Sequence, residues 1–221
     1  MLVACWSVKG GSGTTTVAAS LALVLARSSP AGALLVDAAG DLPTVLGVDH
    51  PPGPGVADWL AAGDGVPDDA LARLATECAP GLRLIGWEEG GSGSGGTIPA
   101  DAGRRLAAVL AEQPGPVVVD CGSAATPLAV TLAASATVSL LVLRRCFLAL
   151  RRAVAAPVRP SGVVVVDEPG RVVDVAQIGD VLGVPVRAVV PWDRDIARAV
   201  DAGLLATRLP RVLARPLRAA A

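Results

Sequence analysis

Seven short apolar runs recur along this chain, and most are followed by a turn and then by a segment with apolar residues at helical spacing. The strand-like runs are Leu2 to Val8, Ala33 to Asp37, Leu82 to Gly86, Pro116 to Asp120, Val138 to Leu143, Gly162 to Val166 and Val186 to Val190. Helical spacing is read over Thr15 to Arg27, Pro67 to Cys78, Pro99 to Glu112, Thr126 to Ala136, Phe147 to Ala156, Asp174 to Leu182 and Asp193 to Ala202. Strands that are apolar on both faces and alternate with helices must be buried between two helical layers. The expectation is therefore an α/β, doubly wound, mostly parallel seven-stranded sheet with helices on both faces, formed by residues 1–221 as a single domain. Asp174 and Asp193 stand where N-caps belong, and Gly183 and Gly203 where helix C-caps belong. The Gly/Ser stretch from Gly90 to Gly96 is a surface loop rather than a domain linker, because the same alternation resumes beyond it.

Composition removes several other readings. Aromatics are 2% of the chain against 52% hydrophobic residues, which excludes disorder and stacked-aromatic platforms for single-stranded nucleic acid. The charge-free run from Cys121 to Leu143 is long enough to span a bilayer. Gly122, Ser123, Pro127 and Ser135 interrupt it, however, and it splits into a helix-like and a strand-like half. Lys9 follows the first apolar run and precedes a polar GGSGTTT segment, the reverse of a signal peptide's order. A cytoplasmic protein is expected. Cys5, Cys78, Cys121 and Cys146 form no CxxC pair and read as small buried hydrophobes. His50, before Pro51 and Pro52, reads as a solvated loop residue.

In doubly wound sheets the ligand sits at the carboxyl ends of the strands. The first such end reads VACWSVKGGSGTTTVAAS: strand, glycine-rich turn, helix. Backbone N–H groups there, together with a helix N-terminus, make an anion site. Gly10, Gly11 and Gly13 let the backbone wrap closely round a phosphate. Thr15 and Thr16 place hydroxyls suited to Mg²⁺ or a phosphate oxygen. The run PVVVDCGS closes on Asp120, in the form of a strand that presents a carboxylate to hydrated Mg²⁺.

On these residues the chain resembles the MinD/ParA family of ATPases, P-loop NTPases whose deviant phosphate loop is KGGxGKT. Lys9-Gly10-Gly11-Ser12-Gly13-Thr14-Thr15 matches that loop at every position except one. The resemblance implies that Lys9, the only Lys beside 18 Arg, is the signature lysine that reaches across a nucleotide-sandwich dimer. It also implies that Lys9 to Thr16 hold ATP, that Thr15, Asp37 and Asp120 serve Mg²⁺, and that Pro191 and Asp193 line the adenine pocket. The family's second loop lysine is Thr14 here, and losing that charge-assisted contact costs roughly 1.5 to 3 kcal/mol. LLVDAAGDLPTVLG resembles the family's switch segment, with Asp37 as its first Asp and Ala39 where the water-orienting Asp belongs. Asp41 is displaced by two residues and is the candidate substitute at the switch.

The resemblance thus implies weakly bound ATP and Mg²⁺, reduced hydrolysis, and a nucleotide-dependent homodimer acting as a localisation or scaffold factor for a protein partner. The process is pilus or secretion machinery, partitioning or septum placement. The short, divergent CpaE/TadZ-like ATPase domains are the most similar members. Alternatives are a slow but genuine ATPase, with Lys9 or an Arg supplying the missing charge, a pure interaction module without nucleotide, and a dethiobiotin-synthetase-like ligase of the same superfold. Residues 1–143 hold 6 basic and 13 acidic groups, whereas 144–221 hold 13 and 7. The basic C-terminal third is thus a candidate surface for DNA or a membrane, with peripheral placement at the inner membrane face, or a solvated face alone. In RLPRVLARPLRAA, Pro210 and Pro216 are expected to interrupt a surface helix.

Overall fold

In the computed structural model, residues 1–49, 53–67, 69–87 and 101–220 are described. His50, the Gly90–Gly96 loop and Pro99, the expected start of one helix, lie outside them. In chain order the elements are β1 (Leu2–Ser7), α1 (Thr14–Ser28), β2 (Ala33–Asp37), α2 (Leu42–Leu46), α3 (Val56–Ala62), α4 (Asp69–Arg73), β3 (Thr76–Ala79), β4 (Leu82–Ile85) and α5 (Ala102–Ala111). There follow β5 (Val117–Ser123), α6 (Pro127–Ser135), β6 (Val138–Arg144), α7 (Phe147–Val154), β7 (Gly162–Asp167), α8 (Val175–Leu182), β8 (Val186–Pro191), α9 (Arg194–Asp201) and α10 (Arg211–Leu217).

The strands form one eight-stranded sheet in the order β3-β4-β2-β5-β1-β6-β7-β8. All pairings are parallel except β3 with β4. Side-chain alternation splits the core between the two faces. Leu2, Ala4 and Trp6 of β1 join one apolar layer with residues of α3, α5, α6, α7 and α8. Val3 and Cys5 join the other with α1, α2, α9 and α10. Helix α1 is buried almost all round from Val17 to Ala26. Its alanines let it lie close to the sheet while α2 and α10 cover its outer side.

The seven expected strands are all present, and the eighth corrects the expected helix from Pro67 to Cys78. Only Asp69–Arg73 is helical, and Thr76–Ala79 folds back as an antiparallel edge strand, Glu77 opposite Arg83. The cause is the Pro80-Gly81 turn, where Gly81 adopts a positive φ of 72°. The charge-free run from Cys121 to Leu143 divides between the end of β5, α6 and β6. Among the described residues no helix is long and apolar enough to cross a membrane.

The prolines near the end do not break α10 as expected. Pro210 is its N-cap residue, outside the intrahelical ladder, and Pro216 sits in its last turn, where it forgoes only the one bond that residue 216 would have donated to the Val212 carbonyl. The apolar residues of α10, Leu213, Ala214 and Leu217, are buried, while Arg208, Arg211, Arg215 and Arg218 are exposed. Cys5 and Cys121 lie in the core, whereas Cys78 and Cys146 are only partly buried, and all four are free thiols.

Candidate functional site

Because the long strands run parallel, the turns after β1, β2, β5, β6, β7 and β8 gather at one edge of the sheet. The turn after β1 is shaped by two serines. The Ser12 hydroxyl donates to the Lys9 carbonyl at 2.9 Å, and the Ser7 hydroxyl sits 2.9 Å from that same carbonyl and 3.2 Å from the carbonyl of Gly122. Both serines are buried. Ser12 therefore turns its hydroxyl into the loop and contributes backbone alone to the surface above it. Gly11 and Gly13 adopt positive φ of 71° and 88°, a region that costs other residues energy.

Gly13 is the N-cap residue of α1 and offers no side-chain cap. The first intrahelical bond runs from Val17 N–H to Gly13 C=O at 2.9 Å. The amides of the first turn, at Thr14, Thr15 and Thr16, thus lack intrahelical acceptors, and the helix carries its positive dipole end there. No acidic residue stands in that first turn to compensate. Lys9 is half-buried with Nζ 3.5 Å from the Gly10 carbonyl. Thr14 is buried, Thr15 is half-buried, and Thr16 lines the cavity described below.

Beside this loop two carboxyls are in register on adjacent strands, Asp37 of β2 opposite Asp120 of β5. Their roles differ. Asp37 Oδ1 accepts from the N–H groups of Ala39 at 2.9 Å and Gly40 at 2.6 Å, and Oδ2 accepts from Leu42 N–H at 2.9 Å. Burial pushes its pKa up and these three amides pull it down. It organises the switch turn and the start of α2, a role the sequence did not signal. Asp41 begins α2 without capping it by its side chain and is exposed. Its charge reaches both Asp37 and Asp120. Ala39 packs against Gly122, where an added Cβ would lie 3.0 Å from the Ala39 Cβ.

Asp120 is fully buried. Its Oδ1 accepts from Gly122 N–H at 3.0 Å, while Oδ2 has no hydrogen-bond partner. Burial raises its pKa to about 7, the Thr15 hydroxyl and Gly122 amide offset part of that rise, and the charges of Asp37 and Asp41 add to it. Thr15 thus faces the carboxyl without closing a bond to Oδ2. Ser20 Oγ and Trp59 Nε1 are also buried without a hydrogen-bond partner, but Asp120 Oδ2 alone of the three is a carboxylate oxygen; beside a hydroxyl it fits a hydrated Mg²⁺ that shares its remaining ligands with a bound anion. Among the described residues no group of three or more His, Cys, Asp or Glu side chains is placed to hold a metal by itself.

A cavity of about 240 Å³ opens from the loop towards the end of β8. Gly11, Gly13 and Thr16 line one side and Pro191, Trp192 and Asp193 the other. Pro191 and Asp193 therefore meet the loop across one space, with Asp193 also capping α9 by accepting from Asp195 N–H at 2.7 Å. Arg144, at the end of β6, lines the same cavity. In the sequence it is simply the first residue of the basic C-terminal third, because nothing local to residue 144 reveals that β6 lies beside β1.

No protein-family profile matches the sequence, and no curated protein matches it. Solved structures do match in shape over nearly the whole chain. A ParA family ATPase from Chlorobium tepidum superposes with a TM-score of 0.79 at 22% identity, covering 98% of this chain and 95% of that one. The septum site-determining protein MinD of Pyrococcus horikoshii, complexed with Mg-ADP, gives 0.74 at 20% identity over 99% of this chain and 93% of that one. The MinC:MinD cell division protein complex of Aquifex aeolicus gives 0.74 at 16% identity over 99% and 93%. The chain therefore has the fold of the ParA and MinD ATPases.

Proposed function

We propose that this chain is a divergent MinD/ParA-type protein that binds ATP with Mg²⁺, hydrolyses it little or not at all, and in the bound state forms a homodimer that positions a protein partner. The observation that carries this reading is the unpartnered Oδ2 of buried Asp120, facing Thr15 at the foot of an uncapped, glycine-shaped helix N-terminus. A buried polar atom left unsatisfied costs about 1 to 3 kcal/mol, a cost that a cation bound through water relieves.

In this reading the backbone of Gly10 to Thr16 and the ammonium of Lys9 hold the phosphates. Thr15 and Asp120 hold Mg²⁺, with Asp37 behind them bracing the switch turn, and Pro191 and Asp193 lie on the base side. Mg²⁺ would neutralise phosphate charge and strengthen binding. Weakened chemistry follows from two positions: Thr14 carries no charge, and Ala39 has no group to orient a water. Lys9 is half-buried, and its Nζ makes a single long contact, 3.5 Å from the Gly10 carbonyl, which suits a side chain that serves a second copy of the chain. The MinC:MinD complex is a precedent on this fold for a protein partner. Placement in the cytoplasm, peripheral to the inner membrane face, and a role in pilus or secretion machinery belong to the same proposal, as does a CpaE/TadZ-like lineage. The arginines of α10 are available to an acidic partner or DNA, while its apolar residues Leu213, Ala214 and Leu217 are already buried against the body.

The slow-ATPase reading has one observation in its favour, the exposed Asp41 whose charge reaches Asp120. Phosphate-release measurements on purified chain separate the two. Release at the level of buffer alone, unchanged by Asp41→Ala, supports the hydrolysis-deficient reading; measurable turnover that Asp41→Ala abolishes overturns it in favour of the slow ATPase.

A further inference from the structure

Residue 14 of the loop is an uncharged Thr, and a cation from a different strand stands at the loop's edge. Arg144 ends β6, which pairs directly with β1. Its Nη1 lies 3.4 Å from the Gly11 carbonyl, and its Nη2 is 2.5 Å from Glu168 Oε2. That carboxylate is shared, because Oε2 also accepts Nε and Nη2 of Arg171 at 2.9 and 2.6 Å. One carboxylate between two guanidinium groups leaves a net positive charge. The neighbouring Arg145 and Asp167 pair with each other and do not remove it. Among the described residues lining the cavity beside the loop, Arg144 is the only cation; the carboxylates of Asp193 and Asp201 stand on the side of β8 and α9.

We propose that Arg144 is a second phosphate-binding cation of this site beside Lys9, replacing from β6 the charge that residue 14 does not provide. The inference rests on the nucleotide reading above and goes beyond it by assigning the compensating group. Guanidinium has five N–H donors in a planar fork suited to phosphate oxygens. The long contact to the Gly11 carbonyl is a weak one that a charge-assisted bond of about 2.8 Å would displace. Glu168 then acts as a positioning residue: it holds the fork at the loop edge and, being half-satisfied by Arg171, does not quench it.

The test is calorimetric titration of Mg-ATP into the wild-type chain, Arg144→Ala, Arg144→Gln, Thr14→Lys and the double variant Thr14→Lys/Arg144→Ala. Arg152→Ala, on the exposed face of α7, controls for general loss of charge. Arg144→Ala and Arg144→Gln should each weaken binding about ten- to a hundredfold, and Arg152→Ala should not. Thr14→Lys should improve affinity far more in the Arg144→Ala background than in the wild type, because the two cations serve one purpose and their effects are not additive. Arg144→Gln keeps a long side chain with N–H donors, so it carries the comparison if Arg144→Ala does not fold. Wild-type binding with both Arg144 variants within about twofold overturns the inference and leaves the nucleotide reading standing. Equal gains from Thr14→Lys in both backgrounds also overturn it, since Arg144 would then be only a structural brace. No binding by the wild type removes the nucleotide reading itself.

Discussion

Replacing Asp120 by Asn should change the stability of the nucleotide-free protein in a pH-dependent way, and the size follows from where the carboxyl sits. A buried carboxyl that titrates near 7 in the folded chain, against an ordinary value of 3.8, corresponds to about 4 kcal/mol of linked free energy. The sign is set by proton uptake. Between those two values the folded state binds the proton and the unfolded state does not, so wild-type stability is greatest at acid pH and falls as pH rises through about 7. The amide that Asp120→Asn introduces never ionises. The stability of the variant relative to wild type should therefore climb by at most about 4 kcal/mol between about pH 4 and pH 8. The carboxyl already leaves Oδ2 unpaired, but the amide puts two N–H donors there in place of at most one O–H, an offset of about 1 kcal/mol against the variant. The difference is thus expected to start slightly below zero in acid and to reach a plateau of roughly 2 to 3 kcal/mol in favour of the variant above neutrality. Urea unfolding of both proteins across this range measures the difference directly, with other titrating groups largely cancelling. A difference that is flat with pH, or a variant less stable than wild type above neutrality, would refute a charge held at a cost beneath the loop.

Other outcomes follow from the same geometry. Lys9→Ala should leave unfolding free energy within about 0.5 kcal/mol of wild type while abolishing Mg-ATP-dependent dimerisation in sedimentation; equal loss of folding and dimerisation would argue against a role in trans. Gly47→Ala should cost at least about 2 kcal/mol in urea unfolding, because Gly47 has φ +70° and an added Cβ would collide with the Gly203 carbonyl. A variant of wild-type stability would mean that the α2 and α9 ends are not held so closely.

The parts of the fold legible in the sequence are those set by local pattern. Runs such as Val117 to Asp120 are buried on both faces, so apolar continuity marks them as interior strands. Gly11 and Gly13 take left-handed conformations that few other residues tolerate, which is why the loop could be located from residue types alone. The edge strand β3 was hidden because its burial is uneven, with Thr76 and Glu77 exposed and Ala79 buried. Its partner is fixed by the Pro80-Gly81 turn rather than by apolar periodicity. The resemblance implies a place for Asp37 near Mg²⁺, whereas the convergence of three amides of the following turn on its carboxylate has no mark in the sequence. Arg144 was hidden by distance, lying 133 residues from the Gly11 carbonyl it approaches. Lys9, in contrast, stood out through composition, and its position at the loop gives that single lysine a place.

The most direct test of the central claim, that the loop after β1 cradles nucleotide phosphates over Asp120, is calorimetric titration of the full chain with Mg-ATP on either side of neutrality. The account predicts one nucleotide bound per chain, with affinity falling as pH drops below about 7 and Asp120 takes up a proton. Absence of binding up to millimolar nucleotide at pH above neutrality, with Mg²⁺ in excess, would contradict it.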